Sequence, residues 1–466
     1  MTMAAALADQ RGVLRRMYGP VMRKPRTLIP LVIAAGLVLS LGGSPAIGDA
    51  LAATPGAQVT MPPVGLSFEY PAMAQDLGTG ACPPPALVSE LLRLGSPPLS
   101  LAGASQDMTV PGEAAPGPSS SWEAATLYAL PAGFWSQLHC LLSATSDPLT
   151  VGINVKTGQL SWAQQVVTGA QSSATNGLAF SLGNEPDLYS LPNYSSLGKP
   201  QEGEEALAVN LYLQLATRFQ QALGGAPVIG PELATAAHWR FELPRVISQL
   251  HEQTVGVHMY PLSDCVTPRA VTIPGLLSAS AADAPTRLAW VVADANSADV
   301  PAIISEANSA SCGGKVGVSD SPAAAVWAVR FVLSALKTGF REVRFHLSGD
   351  PYDPFFVSGG EVTDRPLDSA LVALNQWLPV GSSLATVSAA RGLVATAVSG
   401  PGGVRLIIDN ETAKTAKIVM RSTQAMHTEL LGPLAPGLQP KTFPATHGRV
   451  KLSIGANTVL AVLSAP

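Results

Sequence analysis

Charge is scarce in this chain: 13% of its 466 residues are Asp, Glu, Lys or Arg, and the formal net charge is −4. So thin a charge leaves no basic face for nucleic acid, which is excluded as a partner. Cysteine is rarer, with four residues. No Cys-x-x-Cys pair and no histidine cluster is present, so neither a metal nor another cofactor is expected. The uncharged run Leu28–Leu41 is short of the roughly 20 residues a membrane helix needs. No internal repeat at a fixed period is found, which excludes solenoids and propellers. What the chain does have is length, 43 glycines and 40 prolines, enough for many tight loops without low complexity. A barrel of about 250–300 residues with a smaller second domain fits that length.

The N-terminus reads as a targeting segment. Arg23, Lys24 and Arg26 precede the apolar run, Gly42-Gly-Ser-Pro45 breaks it, and Ala50-Leu-Ala52 is a small-x-small cleavage site. Residues 1–52 are therefore expected to be a signal peptide, with an uncleaved anchor as the alternative and the only route to a membrane. No Cys follows the run to carry a lipid. The expected location is secreted or at the cell envelope, where disulfides form. Cys82, Cys140, Cys265 and Cys312 allow three pairings. Cys265 with Cys312 is favoured, because each falls a few residues past the end of an expected strand; Cys82 with Cys140 is then left. Buried free thiols are the alternative.

From residue 53 onward, apolar runs and helical patterns alternate. Strands are expected at Val64–Tyr70, Leu99–Gly103, Leu149–Val155, Leu178–Leu182, Pro227–Gly230, Thr254–Tyr260, Ala302–Ser305 and Glu342–Leu347. Helical patterns lie between most of them; in the longest, Leu207, Leu211, Leu215 and Phe219 recur every four residues. Eight strands alternating with helices imply an α/β fold, a (β/α)8 TIM barrel over 53–372. Past about residue 370, short β-branched stretches separated by Gly, Pro, Asn and Ser imply a C-terminal antiparallel β-sandwich over 373–466. Residues 53–64 are a candidate edge strand for that sandwich.

Two of the strands run into polar clusters, Leu178-Ala-Phe-Ser-Leu-Gly-Asn-Glu-Pro-Asp187 and Pro301-Ala-Ile-Ile-Ser-Glu-Ala-Asn-Ser309. In a parallel barrel such strand ends deliver side chains to one mouth. A lone glutamate there is most often a loop charge. Two of them, Glu185 and Glu306, are the minimum equipment of a retaining glycosidase.

These residues resemble glycoside hydrolase family 79, which includes exo-β-glucuronidases and heparanase-like enzymes. The resemblance runs from residue 64 to the C-terminus. Its sharpest parts are Gly183-Asn-Glu-Pro-Asp187 and Glu306-Ala-Asn-Ser-Ala-Ser-Cys-Gly-Gly-Lys-Val-Gly-Val-Ser-Asp320, with Trp327, Phe345-His346 and Gly65-Leu-Ser-Phe-Glu-Tyr70 continuing it. It implies that Glu185 is the general acid and then the general base, and that Glu306 is the nucleophile. For that division of labour the pKa of Glu185 is expected to be raised and Glu306 to stay ionised. Asn184 would donate to the sugar 2-OH, or simply cap the strand end. Tyr260 would hydrogen-bond Glu306, or line the barrel wall. His258 shares its side of the strand and reads as a supporting residue. Donors for a glucuronate carboxylate would come from the loop Ser311–Lys315 and from Tyr352, though Lys315 also reads as a solvated loop lysine.

The chain departs from the family pattern on the second strand. Where the family carries Arg-Ile-Gly-Gly-Asn-Ser-x-Asp, this chain reads Ser100-Leu-Ala-Gly-Ala-Ser-Gln-Asp107. Asp107 matches and is a candidate substrate-binding residue; the Arg that helps hold the nucleophile charged is Ser100. Ser305 and Ala307 also replace commoner residues. The expectation is a secreted retaining exo-β-glycosidase, a β-D-glucuronidase first, with a glycan or glucuronide as substrate. The alternatives are a β-glucosidase or β-xylosidase and, from another class, a family member without turnover that binds carbohydrate at the envelope.

Overall fold

The computed structural model describes residues 39–40, 54–112, 127–189, 205–234, 239–387, 389, 392–401 and 403–463. The expected signal segment lies outside these residues except for Leu39–Ser40. Among the described residues no helix is long and apolar enough to cross a membrane.

Eight parallel strands form the centre: β1 (Val64–Glu69), β2 (Leu99–Ala102), β3 (Leu149–Ile153), β4 (Leu178–Leu182), β5 (Ile229–Leu233), β6 (Thr254–Met259), β7 (Ala302–Ala307) and β8 (Val343–Leu347). Their spatial order is β4-β3-β2-β1-β8-β7-β6-β5. A parallel bridge between Phe180 and Val228, with the Phe180 N–H donating to the Pro227 carbonyl at 2.9 Å, closes the ends into a (β/α)8 barrel. Nearly every strand residue is buried, because helices cover the outside and side chains fill the inside.

One strand sits elsewhere than its sequence suggests. Pro227–Gly230 reads as β5 because Pro231 and Glu232 look like breakers, yet the strand is Ile229–Leu233. Glu232 has φ 56°, and the pairing with β6 skips it, Gly256 facing Pro231 and Val257 facing Leu233, so the strand runs on through a bulge.

The C-terminal region forms two antiparallel sheets. In the larger, the order is Thr54–Gln58, Ser383–Val387, Leu393–Gly400, Gly403–Asn410, Thr458–Val462, Met426–Gly432, Ala435–Phe443. The smaller holds Leu39–Ser40, Ala416–Arg421, Arg449–Ile454 and Ala445–Thr446. Thr54–Gln58 thus enters the sandwich just before the chain enters the barrel, pairing with Ser383–Thr386. The helix Pro366–Trp377, which the sequence reading passes over, spans the expected division at 372/373.

The helix Pro322–Thr338 joins the two layers. Every residue from Ala323 to Leu336 is buried, including Arg330. A helix buried all round has neighbours on both faces, here the barrel and the sandwich. Arg330 reaches the sandwich: Nε donates to Asp409 Oδ2 at 2.8 Å and Nη2 to Oδ1 at 2.7 Å. Removing one partner of such a pair strands the other charge in the interior. Arg330→Ala is expected to lower unfolding free energy by about 3–5 kcal/mol in urea titrations. The double change Arg330→Met with Asp409→Leu should recover most of that loss.

Both cysteine pairs are disulfides, Cys82–Cys140 and Cys265–Cys312. The second clips the loop after β6 to the loop after β7. A short parallel pairing of Leu262–Ser263 with Ala310–Ser311 lies beside it.

Candidate active site

The end of β4 is shaped by its turn. Gly183 has φ 82°, and a Cβ there would stand 2.4 Å from the Tyr189 hydroxyl, so no larger residue fits. Glu185 also lies in the left-handed region, at φ 50°. That conformation costs a non-glycine residue about 1–3 kcal/mol and is kept only where neighbours impose it. The Glu185 N–H donates to the Glu232 carbonyl at 3.0 Å, and the Leu188 N–H closes back onto the Glu185 carbonyl at 2.9 Å. Asp107 braces the same turn from below. It accepts from the Asn184 N–H at 3.3 Å and the Tyr189 hydroxyl at 2.8 Å, and pairs with Lys156 at 2.9 Å.

Glu306 rises from β7 and is 6% exposed. Its Oε1 accepts from the Tyr260 hydroxyl at 2.8 Å. Among the described residues its Oε2 has no hydrogen-bond partner, and neither has Asn184 Oδ1. One carboxylate oxygen of Glu185, a His258 nitrogen and one carboxylate oxygen of Glu306 lie within 4.8 Å of one another. Retaining glycosidases hold their carboxyl groups about 5–5.5 Å apart and inverting ones about 6.5–9.5 Å. The arrangement leaves one Glu306 oxygen held and the other free to attack.

Two histidines supply the positive charge. His258 Nδ1 lies 2.9 Å from Glu185 Oε1 and 3.7 Å from Glu306 Oε1, while its Nε2 lies 3.3 Å from Glu232 Oε2. Burial opposes the charge on this ring, but Glu306, Glu185 and Glu232 outweigh it and push its pKa well up. His346, one residue before the end of β8, stands 3.4 Å from Glu306 Oε2 and 3.4 Å from Glu69 Oε1. Burial again opposes the charge; Glu306 and Glu69 raise the pKa to about 9. Gly103 makes room for this pair: a Cβ there would meet Glu69 Oε1 at 2.5 Å and His346 Cε1 at 2.6 Å. Glu185, His258 and Glu306 are donor types that hold metal ions.

A raised histidine pKa stabilises the fold where the unfolded ring is already charged. The His346 contribution is full below about pH 6.5 and is lost as pH rises through about 9. Urea midpoints measured from pH 6 to pH 10 should therefore fall across that window, by of order 3 kcal/mol. His346→Gln should flatten that part of the profile.

The electrostatics overturn one expectation. Burial works to raise the pKa of Glu185, but the hydrogen bond and charge of His258 more than offset it, and the pKa is lowered. In the free protein His258 therefore favours the charged form of Glu185.

The structure brings Glu185, Asn184, Glu306 and Tyr260 to one mouth. Asp107 lies beneath them, buried, and acts on the Asn184 turn. Tyr352 is buried beside the Tyr260 and His346 rings, its hydroxyl 3.0 Å from Ser348 Oγ. Lys315 is turned away, donating to the Pro268 carbonyl at 2.9 Å and lying 3.7 Å from Asp264. Ser100 accepts from Arg344 Nη1 at 2.6 Å; Arg344, from β8, also donates to Thr150 and Glu342 and fills this layer of the barrel. The cations facing Glu306 therefore come from β6 and β8, not β2. Ser305 donates a short hydrogen bond to Glu232, whose carboxylate also faces His258. Glu232 and Lys156 carry no motif that marks them in the sequence; Glu69 lies in the quoted run Gly65–Tyr70 but is given no role there.

No protein-family model and no curated protein sequence matches this chain. Solved structures do. A 4-O-α-L-rhamnosyl-β-D-glucuronidase from Fusarium oxysporum 12S superposes with a TM-score of 0.68 at 18% identity, covering 89% of this chain and 99% of that one. A family 51 arabinofuranosidase from Xanthomonas axonopodis pv. citri gives 0.60 at 12%, covering 88% and 98%. A family 30 endoxylanase from Clostridium papyrosolvens C71 gives 0.55 at 11%, covering 88% and 98%. At these identities the likeness is one of fold: a barrel with a β-sandwich is shared along the whole length of each.

Proposed function

We propose that this chain is a secreted glycosidase that cleaves β-glycosides by double displacement with retention. The observation that carries this reading is the Glu185–Glu306 pair, with carboxylate oxygens within 4.8 Å across the barrel mouth. Glu185 protonates the leaving oxygen as Glu306 Oε2 attacks the anomeric carbon, forming a glycosyl-enzyme. Glu185 then takes a proton from water, which attacks the same carbon and frees Glu306. Tyr260 holds the nucleophile's other oxygen, and the free Asn184 Oδ1 accepts from the sugar 2-OH. The reading without turnover rested on Ser100. His258 and His346 provide the positive charge that the missing Arg would have given, which supports the enzyme.

The sugar is proposed to be β-D-glucuronate, in keeping with the resemblance to family 79 and with the rhamnosyl-glucuronidase among the structural neighbours. Cys312, Gly313 and Gly314 have φ of 64°, 83° and 74°, a tight turn next to Tyr352 whose backbone N–H groups are the proposed donors to the carboxylate. One observation favours a neutral sugar instead: the Asp350 carboxylate packs against Gly313, where it would repel a uronate. Hydrolysis of chromogenic β-D-glucuronide, β-D-glucoside and β-D-xyloside separates the two. Turnover of the glucuronide alone supports the first reading; turnover of the glucoside or xyloside with no glucuronide activity gives the second. The two disulfides suit an oxidising compartment, in keeping with export.

A further inference from the structure

The smaller sandwich sheet carries a feature that the barrel chemistry does not use. Ala416–Arg421 pairs antiparallel with Arg449–Ile454, and in register Lys417 faces Ser453, Val419 faces Lys451 and Arg421 faces Arg449. Opposed residues in an antiparallel pair share a face. The alternate residues Ile418, Met420, Val450, Leu452 and Ile454 are buried, so the other face is the outer one. It presents Lys417, Arg421, Arg449 and Lys451, all exposed. None of the four has an acidic partner within salt-bridge distance among the described residues.

This is a local concentration against the trend of the chain, whose net charge is −4. Residues 410–466 hold six Lys and Arg but only two acids, Glu411 and Glu429. Glu411 lies in the seam with the barrel and Glu429 accepts from Trp377, so neither is on this face. Arg421 directly opposite Arg449 is a like-charge pair, which weakens a sheet rather than supporting it. A cleft of about 580 Å³ lined by Pro444, Thr446, His447, Arg449 and Lys451 continues the face at its edge.

We propose that this face binds an acidic polysaccharide, holding the carboxylated polymer on the sandwich while the barrel works on its ends or on neighbouring glycans. The proposal rests on the reading of the chain as an exported glycosidase, but not on which sugar it cleaves. A lipid surface fits less well, since no exposed large apolar side chain lies on these strands to enter it. Two hydroxyls lie among the cations: Ser453 stands opposite Lys417 and Thr446 opposite Arg449.

The test is retention of the full chain on immobilised polygalacturonate, beside a neutral dextran resin. The wild-type chain is expected to bind the first and not the second, and to elute with salt. Lys417→Ser/Arg449→Ser/Lys451→Ser should weaken binding about tenfold or more with hydrolysis of a small chromogenic glycoside and thermal unfolding unchanged. Glu306→Gln, which disables cleavage and leaves the sheet alone, should be retained like the wild type, so loss of hydrolysis and loss of binding are separate results. No retention of the wild type, or equal retention of the triple variant, overturns the proposal. So does binding to phosphatidylserine vesicles or duplex DNA as strong as to the polysaccharide.

Discussion

Glu306→Gln is expected to lower hydrolysis of the chromogenic substrate by about 10⁴-fold or more, with the fold intact by circular dichroism. The amide keeps the hydrogen bond from Tyr260 but cannot form the covalent intermediate, and removal of a group that bonds to the substrate takes away most of the rate. The loss belongs in kcat, with KM little changed, because the carboxylate acts on the transition state rather than on ground-state binding. A 2-deoxy-2-fluoro glycoside with a dinitrophenyl leaving group should label the wild-type chain on Glu306, seen by peptide mass, and should leave the variant unlabelled. Label on another carboxylate, or a variant with several per cent of wild-type turnover, would remove Glu306 from the nucleophile's role.

Glu185→Ala has an effect that depends on the leaving group. With a phenol of low pKa no proton is needed for departure, and the first chemical step is nearly unchanged. With an alkyl or sugar leaving group the rate falls about 10²–10⁴-fold, the usual worth of general acid catalysis. Azide should restore turnover of the activated substrate and give a glycosyl azide of retained configuration, since the anion needs no general base. The pH dependence follows from His258. Because that ring holds the Glu185 pKa down in the free protein, the protonated acid is populated only as pH falls, and kcat/KM for poor leaving groups should peak on the acid side of neutrality. A profile centred above pH 8 would contradict this account of the proton's place.

The barrel was legible in the sequence because its strands are buried on both faces and so read as continuous apolar runs between helices. The exception is β5, where Pro231 and Glu232 sit inside the strand and disguise it. The hairpin of Met426–Gly432 with Ala435–Phe443 was hidden in the same way. Pro436, Gly437 and Pro440 read as loop, yet they lie on an edge strand with free hydrogen-bonding positions. In the site, Glu185 and Glu306 were legible because each follows a strand within a recognisable run. Glu232 and Lys156 were not, because a single charged residue has no periodicity, and its meaning depends on which strands the barrel sets side by side. His346 appeared only as part of a pattern; its task is visible once β8 lies between β7 and β1. Local charge shows the reverse failing. A sparse overall composition argued against any basic face, and averaging over the chain concealed the row of cations that register places on one sheet.

The pairing of Thr54–Gln58 with Ser383–Thr386 sets an order on the birth of the molecule. As the chain emerges during synthesis, this strand appears before any part of the barrel, and its partner appears only after all eight barrel strands. Until then it is an unpaired edge, tethered to β1 by a few residues and open to wrong partners. The barrel can close while its neighbour is still unmade, but the seam held by Arg330 and Asp409 cannot. A chain halted near residue 372 would carry all eight barrel strands but neither the partner of Thr54–Gln58 nor the strand that brings Asp409 to Arg330.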